Sequence, residues 1–148
     1  TVAHETGHQW FYNVVGNDQT NDPWLDEAVT QYITALYYSD QYGSAGYQGY
    51  RDSWVSRWDR VQGEEIPVGL PAGSYTGKQY GAIIYGRGPL FIEALAQQMG
   101  QSTFDLFLRD YYQANEWGIG YPDSFETSAE EHCQCNLTSL FEEWLQQQ

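Results

Sequence analysis

The sequence predicts an all-α domain, and three observations carry that expectation. Apolar residues recur three and four positions apart along most of the chain, which gives a helix one buried face. Strict apolar–polar alternation, the mark of a half-buried strand, is scarce. Gly and Pro gather mostly between the periodic stretches, where loops join helices. At 148 residues the chain fits one domain, 1–148, with a sizeable core. No repeat, low-complexity tract or internal boundary interrupts it.

About seven helices are expected. The first runs from about 1 to 15 and stops at Gly16-Asn17. Asp22 caps the second, with Pro23 as its first residue. Leu25, Ala28, Val29, Tyr32, Ile33 and Leu36 form its apolar face, and Gly43 to Gly46 break it. A third helix covers about 47–62, with Tyr50, Trp54, Val55 and Trp58 inward. Residues 63–77 hold two Pro and four Gly without helical period and read as a loop crossing the surface. The fourth helix, about 78–99, is interrupted near Gly86-Arg87-Gly88-Pro89. The fifth, about 102–115, turns Phe104, Phe107, Leu108 and Tyr111 to one face. Pro122 opens a sixth, and 137–145 gives a short seventh.

The chemistry is concentrated at the start. His4-Glu5-Thr6-Gly7-His8 is an H-E-x-x-H motif, and eighteen residues separate His8 from Glu27 of Trp24-Leu25-Asp26-Glu27. Residues four apart share a helix face, so His4 and His8 point the same way and can hold one zinc. Glu5 sits about a quarter-turn round, near enough to hold a water on that metal without ligating it. A second helix running back past the first would present Glu27 as third ligand. Two His and one carboxylate leave a coordination position open, as catalytic zinc sites do. Gln31 and Asp22 are candidates by position to support the ligand histidines; a solvated helix residue and a helix cap are the plainer readings.

Composition narrows the partners. The net charge of −14 argues against nucleic acid and anionic membrane surfaces. No apolar run reaches the length of a membrane span. Cys133 and Cys135 form a C-x-C, read as two free thiols on a loop because sulfurs that close bridge only with strain. His132 beside them lacks a fourth partner for a second metal site. The chain opens on Thr1 and reaches its motif at position 4, so it reads as a piece of something longer.

Three separated motifs resemble the gluzincin aminopeptidase family, the membrane-alanyl-aminopeptidase type of zinc peptidase with a thermolysin-like catalytic domain. Val2-Ala3-His4-Glu5-Thr6-Gly7-His8-Gln9-Trp10-Phe11 is similar to the family's zinc helix, and the spacing to W-L-D-E matches its third-ligand helix. Tyr85-Gly86-Arg87-Gly88 resembles its Y-x-K-G segment, with Arg in the Lys position. Leu140-Phe141-Glu142-Glu143-Trp144-Leu145 resembles its domain-closing helix. The resemblance implies one Zn2+ per chain held by His4, His8 and Glu27, with Glu5 as general base and Tyr85 as donor to the transition state. It implies hydrolysis of a peptide substrate by zinc-activated water. It also implies a β-rich upstream lobe that is absent here, together with the G-x-M-E-N segment that grips a substrate's amino terminus. Tyr12 stands where the family often has Gly, and Asp26 where it often has Asn. Two rivals remain: epoxide hydrolysis on the same scaffold, as in some relatives, and a zinc-binding helical fragment without turnover.

Overall fold

The structure is a computed structural model that describes residues 1–146. Helix α1 spans only Val2–Gly7, ending well before the expected Val15. Trp10, Phe11, Val14 and Val15 are aromatic and β-branched residues that crowd the preceding turn of a helix. The backbone leaves the helical path there: Tyr12 has φ 121°, and the Asn13 N–H donates to the His8 carbonyl at 3.0 Å. β1 (Val15–Gly16) then pairs in parallel with β2 (Gly118–Ile119).

Helix α2 spans Trp24–Trp58 but is two helices in tandem, parted at Gly43 (φ 70°, ψ −164°). It begins one residue later than expected, with Pro23 at the N-cap and no capping bond from a side chain. Its second half folds back along the first. The Tyr38 and Tyr50 rings stack 5.1 Å apart, and the Tyr50 hydroxyl donates to Gln31 Oε1 at 2.9 Å. Any side chain at Gly46 would run into the Tyr38 carbonyl, so both glycines of the expected break are needed. A 3₁₀ turn, Asp59–Val61, ends the hairpin.

The segment 63–77 corrects the sequence reading. Val68 is fully buried, and the N–H groups of Val68 and Gly69 donate to the carbonyls of Trp144 (2.9 Å) and Leu145 (3.2 Å). The Tyr75 hydroxyl donates to the Pro67 carbonyl at 2.6 Å and accepts from the Leu70 N–H at 3.1 Å. A Gly- and Pro-rich stretch can still be pinned to the interior where its few apolar residues and backbone groups find partners.

Helix α3 (Gly77–Ala82) starts from a capping box of Thr76 and Gln79. A π-helical turn, Ile83–Arg87, leads into α4 (Gly88–Met99), so the expected interruption is a widened turn. Then follow α5 (Gln101–Asn115), α6 (Pro122–Cys133) and α7 (Thr138–Leu145). Edge-on aromatic contacts join these layers: Trp24 meets Phe91 and Phe125 at 5.6 and 5.7 Å, Phe91 meets Phe141 at 5.2 Å, and Phe107 meets Phe125 at 4.9 Å. The second half of α2 is also clamped to α4, where Arg51 Nε lies 2.8 Å from both oxygens of buried Glu93 and the Tyr47 hydroxyl donates to it at 2.6 Å.

Cys133 and Cys135 are joined in a disulfide rather than free. Gln134 between them is left-handed (φ 51°), which folds the chain back and brings the two Cα atoms to 5.1 Å, within the ordinary range for a bridge. Among the described residues no helix is long and apolar enough to cross a membrane.

Candidate metal centre and its cleft

Helix α1 can lie close on α2 because Gly7 carries no side chain; a Cβ there would come within 2.8 Å of the Thr30 methyl. That approach places both motif histidines against Glu27 in the first turn of α2. His4 Nε2 lies 3.1 Å from His8 Nε2 and 3.2 Å from Glu27 Oε2, and His8 Nε2 lies 3.3 Å from the same oxygen. Tetrahedral zinc with bonds of about 2.0–2.1 Å requires donors about 3.3 Å apart. Two imidazole nitrogens and one carboxylate oxygen at these separations fit that ion.

One backbone contact fixes the tautomer that ligation by His8 needs. His8 Nδ1 lies 3.1 Å from the Phe11 carbonyl oxygen, which can only accept, so Nδ1 carries the proton and Nε2 of the neutral ring offers its lone pair. Phe11 can reach back this way because the chain leaves the helix after Gly7. His8 Nε2 faces the Glu27 carboxylate, and the hydrogen bond it donates there raises the imidazole to about 9, so an ion at this position must displace that proton. Burial pushes Glu27 upward, but hydrogen bonds from His4, His8 and Tyr85 outweigh it and bring the carboxyl to about 2.

Tyr85, on the π turn, donates its hydroxyl to Glu27 Oε1 at 2.6 Å. Burial, and then Glu27, push the phenol well above its ordinary value. Glu5 is exposed and lines the same cleft of about 560 Å³ as His4, His8, Glu27 and Tyr85. All five residues singled out from the sequence therefore share one cleft.

The expected supports do not take their places. Gln31 accepts from Tyr50 and from Trp54 Nε1 (3.3 Å), and Asp22 receives Asn17 Nδ2 only on its backbone carbonyl. Asp26 is the residue that sequence reasoning missed. It is almost fully buried, accepts from Asn17 and Gln19 at 3.0 Å each, and lies 4.0 Å from His8 Nδ1. Burial raises its pKa. The signal available was its position beside Glu27 in W-L-D-E. Arg57 and Tyr50 also line the cleft, carried there by the α2 hairpin, and no local motif marks them.

Comparison with known proteins decides the family, since the profile of the Peptidase family M1 domain matches residues 1–144. The chain belongs to peptidase family M1. This M1 domain is 28% identical over 97% of its length to Aminopeptidase RNPEPL1 of Mus musculus, covering 22% of that protein. It is 31% identical to Aminopeptidase B of Rattus norvegicus over 74% of this chain and 18% of that protein. In fold it is similar to an M1 zinc metallopeptidase mutant from Deinococcus radiodurans, crystallised with a Tyr-Ser-Ala substrate: TM-score 0.79, 22% identity, over 98% of this chain and 32% of that one. The M1 domain thus spans about a fifth of the curated relatives it matches, and it corresponds to the helical part of the solved M1 structure.

Proposed function

We propose that this M1 domain carries the catalytic centre of a zinc aminopeptidase. The supporting observation is the meeting of His4, His8 and Glu27 at tetrahedral donor spacing, in one cleft with Glu5 and Tyr85. The names of the relatives, both aminopeptidases, supply the substrate class.

His4, His8 and Glu27 would hold the ion. Zinc, when bound, would polarise the scissile carbonyl and bring the pKa of water to about 7. Glu5 takes the proton of the attacking water and passes it to the departing amine. The Tyr85 hydroxyl donates to the oxygen on which negative charge grows. The Phe11 carbonyl keeps His8 in the tautomer that ligation requires, and Asp26 backs the same ring.

Metal analysis tests the centre. One zinc per chain is expected, and His8→Ala should lose it. A stoichiometry far below one, or binding unaffected by that change, rejects the ligand set. In the complete protein, Glu5→Gln should abolish turnover of an amino-acid anilide while zinc stays bound. Loss of zinc together with activity would make Glu5 a ligand instead.

A further inference from the structure

The chain holds 6 Lys and Arg against 20 Asp and Glu, and Arg57 is the arginine that lines the cleft of the metal centre. Arg51 sits on Glu93 and Arg109 on Asp110, at 2.8 and 2.9 Å. Arg57 has no such partner among the described residues. Its Nη1 reaches the Ser53 hydroxyl at 3.1 Å and the Tyr85 carbonyl at 3.4 Å, and the side chain lines the cleft that holds the metal centre. A guanidinium presents five N–H donors in a planar fork, so Nε and Nη2 remain to be satisfied.

Gln31 lines the same cleft. An indole N–H only donates, so the Gln31 oxygen must face Trp54 Nε1, and the Tyr50 hydroxyl donates to that oxygen as well. The Gln31 amide nitrogen is left as a donor with no acceptor among the described residues. The cleft thus holds, beside the carboxylates of Glu5 and Glu27, these free donors and one positive charge without a carboxylate partner within 4 Å among the described residues.

We propose that Arg57, assisted by Gln31, is a carboxylate-recognising subsite of this cleft. It takes either the free C-terminal carboxylate of a short peptide or an acidic side chain within a longer one. Planar two-point contact with a carboxylate is what a guanidinium fork provides and a lysine does not. The alternative is structural: Arg57 merely props the π turn through the Tyr85 carbonyl. The proposal rests on the peptidase reading for its substrate class, and its test separates the two.

The test uses the complete zinc-loaded protein and three peptides: Leu-Ala-Ala as free acid, Leu-Ala-Ala amide, and Leu-Ala-Glu amide. The wild type should favour at least one acidic peptide over the neutral amide by about tenfold in kcat/KM, the size of one charge-assisted contact. The favoured peptide identifies the source of the carboxylate. Arg57→Gln should bring the ratio to within about twofold of unity, and Arg57→Lys should keep part of it. A prop for Tyr85 would slow all three peptides alike and leave the ratio intact, so an unchanged ratio, or no preference in the wild type, overturns the proposal. The same peptides are titrated calorimetrically into the Glu5→Gln protein with and without Arg57→Gln. Arg57-dependent binding of an acidic peptide without hydrolysis of any peptide by the wild type would reject the peptidase reading and keep the subsite. Hydrolysis without Arg57 dependence would do the reverse.

Discussion

Tyr85 is held as a hydrogen-bond donor. Burial and Glu27 both oppose its ionisation, so the phenol keeps its proton at neutral pH. Tyr85→Phe should lower kcat about a hundredfold, as loss of one oxyanion donor does, with KM little changed. An unchanged kcat would reduce Tyr85 to a packing residue, and zinc content measured alongside separates a catalytic loss from a metal loss. A second ionisable residue lies far from the cleft. His132 donates from Nδ1 to the Ser128 carbonyl at 2.7 Å and pairs through Nε2 with Asp110 at 3.1 Å, and these contacts raise it above 6.5, the backbone bond contributing most. A raised histidine adds stability that is fully present below its ordinary value and lost as pH climbs through the raised one. An NMR titration of His132 should therefore give a midpoint above that of an exposed histidine; a midpoint at or below it would disprove the pairing. At this scale the clustering of His4, His8 and Glu27 was legible, because H-E-x-x-H fixes two side chains on one face and W-L-D-E supplies the third. The partner of His8 was not, because it is a backbone carbonyl of Phe11 and any residue could supply it.

The π turn Ile83–Arg87 is the element on which the site depends most. A Cβ at Gly86 would meet the Trp54 carbonyl and the Trp58 N–H, each at 2.8 Å, so glycine alone lets the turn rest against the second half of α2. Both obstacles are backbone and cannot swing away. Gly86→Ala should cost about 1–3 kcal/mol of stability by overpacking, read as a fall in Tm, and should slow turnover by moving Tyr85. Loss of neither would show that the turn tolerates displacement. The interruption was legible from Gly86-Arg87-Gly88-Pro89, as was the break at Gly43. The end of α1 was not: Trp10 and Phe11 continue an apolar period that suits a helix, and the weak helix preference of aromatic and β-branched residues does not mark the position at which the chain leaves it. The disulfide was missed for a similar reason, because the left-handed turn at Gln134 is not a property of its residue type.

At the scale of the whole molecule, large apolar side chains gather around one groove. Val2, Trp10, Tyr37 and Tyr42 are 82%, 50%, 49% and 67% exposed and border a groove of about 750 Å³ beside α1. Apolar exposure on this scale favours association even at a net charge of −14. The isolated chain should sediment partly as dimers or larger species, and Trp10→Asp should shift it toward monomer; a wholly monomeric wild type would refute this. Arg87 binds several elements together. Its guanidinium lies 4.6 Å from the Trp144 ring and 5.9 Å from the Trp58 ring and donates to the carbonyls of Ile66 and Trp144, so α7, the 63–77 segment and the π turn share one cation. That explains how arginine can stand where the family has lysine: both keep the charge, and the flat guanidinium stacks on indole.

Helix α1 has 6 residues, far below the length at which a helix persists in water by itself. The helix and its C-cap His8 carry two of the three proposed metal ligands, and its contacts with α2 include the seat of Gly7 on Thr30 and those of His4 and His8 with Glu27. Metal occupancy and local opening of this turn are therefore thermodynamically linked: an ion bound only by the closed form suppresses excursions to the open one. At free zinc a thousandfold above its dissociation constant, the opening free energy of the turn should rise by about 4 kcal/mol. Hydrogen exchange at the amides of Glu5 and His8, whose N–H groups donate to Thr1 and His4, should slow in proportion, while amides in α5 keep their rates. The centre would then behave less as a rigid cage than as a latch whose closure the ion itself completes.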